Sequence, residues 1–125
     1  MIYHARFPAI PAAVSAARVC VGRALRGRVT ASTLGDVELL TSELVSNSVR
    51  HAGIQPHDPI SLHLETHADR VRLEVSDQGP GFDPGRPEPS PGGENGWGLY
   101  MVEKISDRWG VLREEPISVW FEIDL

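Results

Sequence analysis

Cysteine is nearly absent from this chain: Cys20 is the only one in 125 residues. An internal disulfide is therefore excluded, and a reducing, cytoplasmic setting is the simpler expectation. Cys20 lies among Ala17, Val19 and Val21 and reads as a small core residue, not a nucleophile. No apolar run approaches the roughly 20 residues that a membrane span needs, and the first residues carry no signal-peptide pattern. Basic runs are missing as well. The arginines are scattered and the net charge is −5, which argues against direct nucleic-acid binding. What remains is an ordinary globular composition, sized for one domain over residues 1–125 with a single sheet-and-helix core.

Ile2 to Phe7 reads as an edge strand, closed off by Pro8 and Pro11. Pro11 suits the first turn of a helix, where a missing N–H costs nothing. Val14, Ala17, Val21 and Leu25 recur at threes and fours and predict an amphipathic helix from Ala12 to about Arg26, stopped by Gly27. Thr30 or Ser32 can cap a second helix that runs to Ala52 and ends at Gly53. After Pro59 the apolar period changes to two: Ile60, Leu62 and Leu64, then Val71, Leu73 and Val75, alternate with polar residues. Joined at Ala68-Asp69, these runs predict an antiparallel hairpin with one buried face. From Gly79 to Gly96, eleven of eighteen residues are Gly or Pro, a composition that cannot hold a regular element and that marks a functional or disordered loop. Leu99, Val102, Ile105 and Trp109 then predict a helix that begins near Gly96-Trp97-Gly98 and ends at Gly110. Val111 to Arg113 and a run with Val119, Phe121, Ile123 and Leu125 on one face predict a closing pair of strands. Helices set apart from antiparallel strands give an α+β fold, a two-layer sandwich and not a doubly wound parallel sheet.

Three stretches carry chemistry. Glu43, Asn47 and His51 fall within about 80° of one another on the second helix, a polar stripe on the same side as Leu40 and Leu44. Asn is a poor helix-interior residue because its amide competes for backbone hydrogen bonds. The stripe reads either as a ligand-facing edge or as a polar edge satisfied within the protein. Asn47 offers an amide oxygen suited to Mg²⁺, which takes few protein ligands beside phosphates and water. Glu43 can take a proton from a hydroxyl or orient a water, or pair with Arg50 on the surface. Asp77 lies in line with Val71, Leu73 and Val75, and a carboxylate on that inward face needs a partner. It can accept from an exocyclic amine such as that of adenine, with Gly79 and Gly81 letting the backbone approach a flat ring, or it can cap its own turn. Gly96 and Gly98 leave N–H groups open at a helix start, where phosphate oxygens are favoured. This is neither the phosphate loop with its Gly-Lys-Ser/Thr ending nor a dinucleotide fingerprint.

Together, Glu43-X-X-X-Asn47-X-X-X-His51, Asp77-X-Gly79-X-Gly81 and Gly96-X-Gly98-Leu99 resemble, in order and spacing, the GHKL (Bergerat) ATP-binding fold of gyrase, heat-shock chaperone, histidine kinase and mismatch-repair proteins. The whole chain is more narrowly similar to the bacterial anti-sigma factor serine/threonine kinases. The resemblance implies a mixed, mostly antiparallel sheet with helices on one face, and ATP and Mg²⁺ as cofactors. Glu43 would be the general base, and Asn47 would hold Mg²⁺. Asp77 would bind the adenine amine, with Gly79 and Gly81 lining the base. Gly96, Gly98 and Leu99 would form the phosphate-side turn, and residues 82–95 would be the ATP lid. His51 follows the family pattern without an assigned role. The implied partners are a sigma factor and an anti-anti-sigma-type protein, bound through the helical side, and the implied assembly is a homodimer.

One departure stands out. Family kinases often carry a basic residue just before the second glycine pair, whereas Glu94-Asn95 occupies that stretch here and Arg86 is the one cation in the loop. An acid beside a triphosphate repels it, so a nucleotide-binding sequestration module with little turnover stands as the alternative to a kinase. A histidine-kinase catalytic domain cut from a larger sensor fits less well, because no phosphoacceptor helix precedes the domain. A metal site at His63 and His67 is set aside: both are on the solvent side by alternation and lack a third ligand.

Overall fold

The computed structural model describes residues 1–51, 58–77, 97–114 and 116–125; of His51, Trp97 and Gly98 only the helical backbone is described. Five strands, β1 (Ile2–Pro8), β2 (Pro59–Thr66), β3 (Arg70–Asp77), β4 (Arg108–Leu112) and β5 (Ile117–Asp124), accompany three helices, α1 (Ala12–Leu25), α2 (Ala31–His51) and α3 (Trp97–Ile105). The strands form one sheet in the order β1-β2-β3-β5-β4. Each adjacent pair is antiparallel, so the described strands contain no parallel pair. The α+β sandwich expected from the sequence is present, with β1 at an edge.

Alternation decides which sheet face meets the helices. Ile60, Leu62 and Leu64 of β2, Val71, Leu73 and Val75 of β3, and Val119, Phe121 and Ile123 of β5 are buried on one side. The polar residues between them line the other side. On α2 the buried stripe is Val37, Leu40, Thr41, Leu44, Val45 and Ser48, the i, i+3, i+4 pattern of a helix laid on a sheet. Burial of each large side chain contributes about 1.5–3 kcal/mol, so this stripe, more than helix propensity, fixes how α2 is rotated. The Thr41 hydroxyl costs little there because it donates to the Val37 carbonyl at 2.7 Å.

Helix ends follow local chemistry. Thr30, not Ser32, caps α2: the Thr33 N–H donates to Thr30 Oγ1 at 3.2 Å, and the Leu34 N–H donates to the Thr30 carbonyl at 2.9 Å. At the end of α1, Gly27 takes φ +80°, a left-handed conformation that is nearly free for Gly and strained for other residues. The expected end of α2 at Ala52 and Gly53 lies outside the described residues.

The third helix is shorter than its spacing predicts. It ends at Ile105, and Trp109 and Gly110 belong to β4. The Ser106 N–H donates to the Val102 carbonyl at 2.9 Å, and the next residue, Asp107, already donates its N–H to the Glu122 carbonyl at 2.9 Å. Trp109 fits the strand period equally well, because it and Val111 both pack against the core, opposite Phe121 and Val119. The ladder with β5 wins. Gly110 is therefore a mid-strand residue opposite Trp120, and a Cβ there would lie 3.0 Å from the indole ring. Leu125 also departs from expectation: it falls after β5 and is 52% exposed.

Candidate functional site

Glu43 and Asn47 sit on the border of the α2 stripe, both half-buried, beside the fully buried Leu40 and Leu44. Their direction follows from a contact on the opposite flank. Gly22 of α1 approaches Glu38 so closely that a Cβ at Gly22 would lie 3.1 Å from Glu38 Oε1, so the Glu38 flank faces α1. Asn47 is nine residues further on, which is about 180° round the helix. It therefore looks away from α1, and the helix that packs on α2 besides α1 is α3. Ser42, one residue before Glu43, donates its hydroxyl to the Glu38 carbonyl at 3.0 Å.

Asp77 is the last residue of β3, paired with Ile117 of β5. By alternation it shares the helix-side face of Val71, Leu73 and Val75, and it is half-buried where they are buried. It makes at least one interaction within the protein. α2 packs against both β3 and α3, which brings the elements that carry Glu43, Asn47, Asp77 and Leu99 into one neighbourhood.

The third helix begins at Trp97, so Gly98 is its second residue. Leu99 is 6% exposed and joins the core cluster with Val102, Leu40 and Leu44. Its side chain is thus committed to packing, and only its backbone N–H, one of the first four of the helix, is free of an intrahelical partner. Gly79, Gly81, Gly96 and residues 82–95, including Arg86 and Glu94-Asn95, lie outside the described residues, as does the side chain of His51.

The model of the histidine kinase-like ATPase domain matches residues 7–119. The chain belongs to this family. The GHKL likeness carried by the three motifs and the α+β sandwich agree with that membership. Among similar curated proteins, those named serine-protein kinase RsbW from Staphylococcus aureus strains RF122 and Newman are each 27% identical over 128 residues. Those matches cover 91% of this chain and 80% of theirs. A solved histidine kinase domain, from the blue-light activated histidine kinase EL346 of Erythrobacter litoralis, superposes with a TM-score of 0.60 at 21% identity. That match covers 94% of this chain, which spans 61% of the solved one. At that identity the likeness is one of fold.

The sequence reading missed two features of the described surface. It weighed His63 only with His67, a pair it set aside, whereas the ring packed against His63 is that of His4 on β1, Nδ1 to Nδ1 3.1 Å. That neighbour is legible only once the β1–β2 register is known. The second is a charged network on the face away from the helices. Glu122 binds Arg108 Nε at 2.7 Å and Arg72 Nη1 at 3.3 Å, and Arg72 also stacks 4.2 Å over the Trp120 ring. These arginines, Arg108 foremost, hold the Glu122 carboxyl below its ordinary value. Among the described residues, no helix is long and apolar enough to cross a membrane.

Proposed function

We propose that the chain, as a single domain over residues 1–125, is a cytoplasmic, ATP-dependent serine/threonine kinase of the anti-sigma type. It would transfer the terminal phosphoryl group of ATP to a hydroxyl on an anti-anti-sigma-type partner. The observation that carries this is the convergence of α2, β3 and α3, which bear Glu43 and Asn47, Asp77, and Gly98 and Leu99 of the three family motifs, in a chain similar to proteins named serine-protein kinase. The roles follow the chemistry of each position. Asp77, fixed at a strand end, accepts from the purine amine, and Gly79 and Gly81 keep the backbone flat against the ring. The first N–H groups of α3, at Gly98 and Leu99, face the phosphates together with Gly96, where the helix dipole favours anions. Residues 82–95 close over the nucleotide as a lid. His51, four residues beyond Asn47 in the sequence, follows the family pattern without an assigned role.

Asn47 is the residue that would hold Mg²⁺, which supplies charge neutralisation between the phosphates. What supports that ion is the amide oxygen of Asn47, half-buried at the edge of the stripe. Mg²⁺ suits such a site because it binds through one or two protein oxygens plus phosphates and water. Glu43, one turn earlier, takes the proton of the attacking hydroxyl as its oxygen bonds to phosphorus and the bond to ADP breaks.

The test is calorimetric titration with ATP and Mg²⁺, comparing parent with Asp77→Asn, followed by phosphotransfer to a cognate partner. Binding lost in the variant supports the adenine assignment, and unchanged binding overturns it. A second reading, sequestration with nucleotide acting only on the lid, is favoured by Glu94-Asn95 where relatives of this type carry a base. Tight partner capture without phosphotransfer, indifferent to Glu43→Ala, would select it.

A further inference from the structure

The sheet face turned away from the helices carries an arrangement that phosphoryl transfer does not use. His4 of β1 and His63 of β2 are direct partners in the antiparallel register. Their Nδ1 atoms are 3.1 Å apart, with ring centroids at 4.3 Å and planes at 64°. On its other side, His63 Nε2 lies 3.3 Å from Glu65 Oε1, with 32% of the His63 side chain and 26% of Glu65 open to solvent. A cleft of about 320 Å³ opens beside the two rings, lined also by Arg6, Ser61, Glu74 and Ser76.

We propose that His4 and His63 form a two-imidazole site for a borderline divalent transition-metal ion, with Glu65 as the carboxylate that orients His63. The tautomers permit it. Ionised Glu65 can only accept, so a neutral His63 that turns its Nε2–H to that carboxylate keeps a lone pair on Nδ1, 3.1 Å from His4 Nδ1. In that tautomer the His4 Nδ1–H would occupy the lone pair when no ion is bound. A metal replaces that proton, which returns to His4 at Nε2 through solvent, so no net proton is released. Two metal–nitrogen bonds of about 2.0–2.1 Å spanning the Nδ1 separation would meet at an angle of about 95–100°, within the range of tetrahedral to square geometries. The carboxylate behind His63 is the usual outer support of a metal-bound imidazole. Zn²⁺, Cu²⁺ and Ni²⁺ suit nitrogen donors, with Cu²⁺ the tightest, and Mg²⁺ does not. His4 and His63 differ from the pair His63 and His67 in that the register brings two ring nitrogens within 3.1 Å; the described residues offer no third protein ligand, so water would complete the sphere. The ion would tie the edge strand β1 to β2, so its effect is read in stability and is independent of the kinase assignment.

The experiment is titration of the whole chain with Zn²⁺ and, separately, Cu²⁺ in a non-coordinating buffer, read by calorimetry and by the thermal midpoint. Copper EPR of the parent counts the equatorial nitrogens. Expected are one saturable site, a midpoint that rises with metal and returns with EDTA, and two nitrogens in the copper spectrum. His4→Gln and His63→Gln should each weaken binding at least about 10-fold, and Glu65→Gln by about 10–100-fold. His67→Gln should change it less than about 2-fold, and excess Mg²⁺ should not compete. Circular dichroism without metal checks that each variant is folded, and the EPR count needs no variant. Binding that survives both His4→Gln and His63→Gln, that is lost equally in His67→Gln, or that shows fewer than two nitrogens overturns the proposal.

Discussion

Leu39 and Leu40 are adjacent leucines on the same helix, and their truncation should differ sharply. Leu40 is 0% exposed, between α2 and the sheet, whereas Leu39 is 37% exposed. Leu40→Ala removes a fully buried side chain and leaves a cavity, at a cost of about 2–5 kcal/mol. Leu39→Ala removes partial cover from a flank, and the better helix propensity of Ala offsets a few tenths of that loss, so the net cost is under about 1 kcal/mol. For a domain whose whole stability is on the order of 5–15 kcal/mol, the first change is large and the second small. Urea unfolding followed by circular dichroism resolves them, with the midpoint shifting and the slope unchanged. The comparison reaches beyond packing, since Glu43 and Asn47 are placed by the same rotation of α2. Equal costs within about 0.5 kcal/mol would refute that rotation and, with it, the flank assigned to the candidate site.

Other outcomes follow from single positions. Gly27→Ala forces a side chain into φ +80° and should cost about 1–2 kcal/mol in the same unfolding assay. Thr30→Ala removes the oxygen that accepts from the Thr33 N–H and should cost about 0.5–2 kcal/mol. Glu43→Gln should leave the calorimetric affinity for ATP within a few-fold of the parent while abolishing phosphotransfer to the partner, since the amide cannot take the proton. Glu122 has a carboxyl depressed in the folded state below its ordinary 4.5, first by Arg108. Its stabilisation is therefore fully present above about pH 4.5 and is lost as pH falls through the lower folded value. Acid unfolding of the parent should accordingly be steeper below that pH than unfolding of Glu122→Gln.

Much of the architecture was legible because two periods do most of the folding. Alternation at Ile60, Leu62 and Leu64, and at Val71, Leu73 and Val75, gave the central hairpin and its buried face. The 3.6-residue recurrence gave α1 and α2, and Gly27 marked the end of α1. The reading failed at Trp109, where the periods coincide. Counted from Ile105 it is one helical turn on, and counted from Val111 it is two strand positions back. Only the non-local ladder with β5 separates these, and a local pattern contains no information about it. Leu125 misled for a related reason, since alternation continues past the point where a strand loses its neighbour.

The candidate site divides along the same line. Asp77 stood out as a polar residue where a buried period expects an apolar one, and Glu43 and Asn47 as a polar stripe bordering the apolar one of Leu40 and Leu44; both signals are local. Leu99 shows the opposite: its motif position suggests ligand contact, yet its side chain is buried in the same apolar core as Leu40 and Leu44. It can still serve a nucleotide without touching it. If α3 supplies phosphate-facing N–H groups and α2 supplies the base, their relative position depends on the packing of α3 on α2, to which the buried Leu99 belongs through the common core. A misplacement on the order of 1 Å between reacting groups can cost about 100-fold in rate. Leu99→Ala should therefore lower phosphotransfer by more than it weakens ATP binding, because the proposed function rests binding mainly on Asp77, on a different element. Rate and affinity falling by the same factor would mean instead that Leu99 acts only through the population of folded protein.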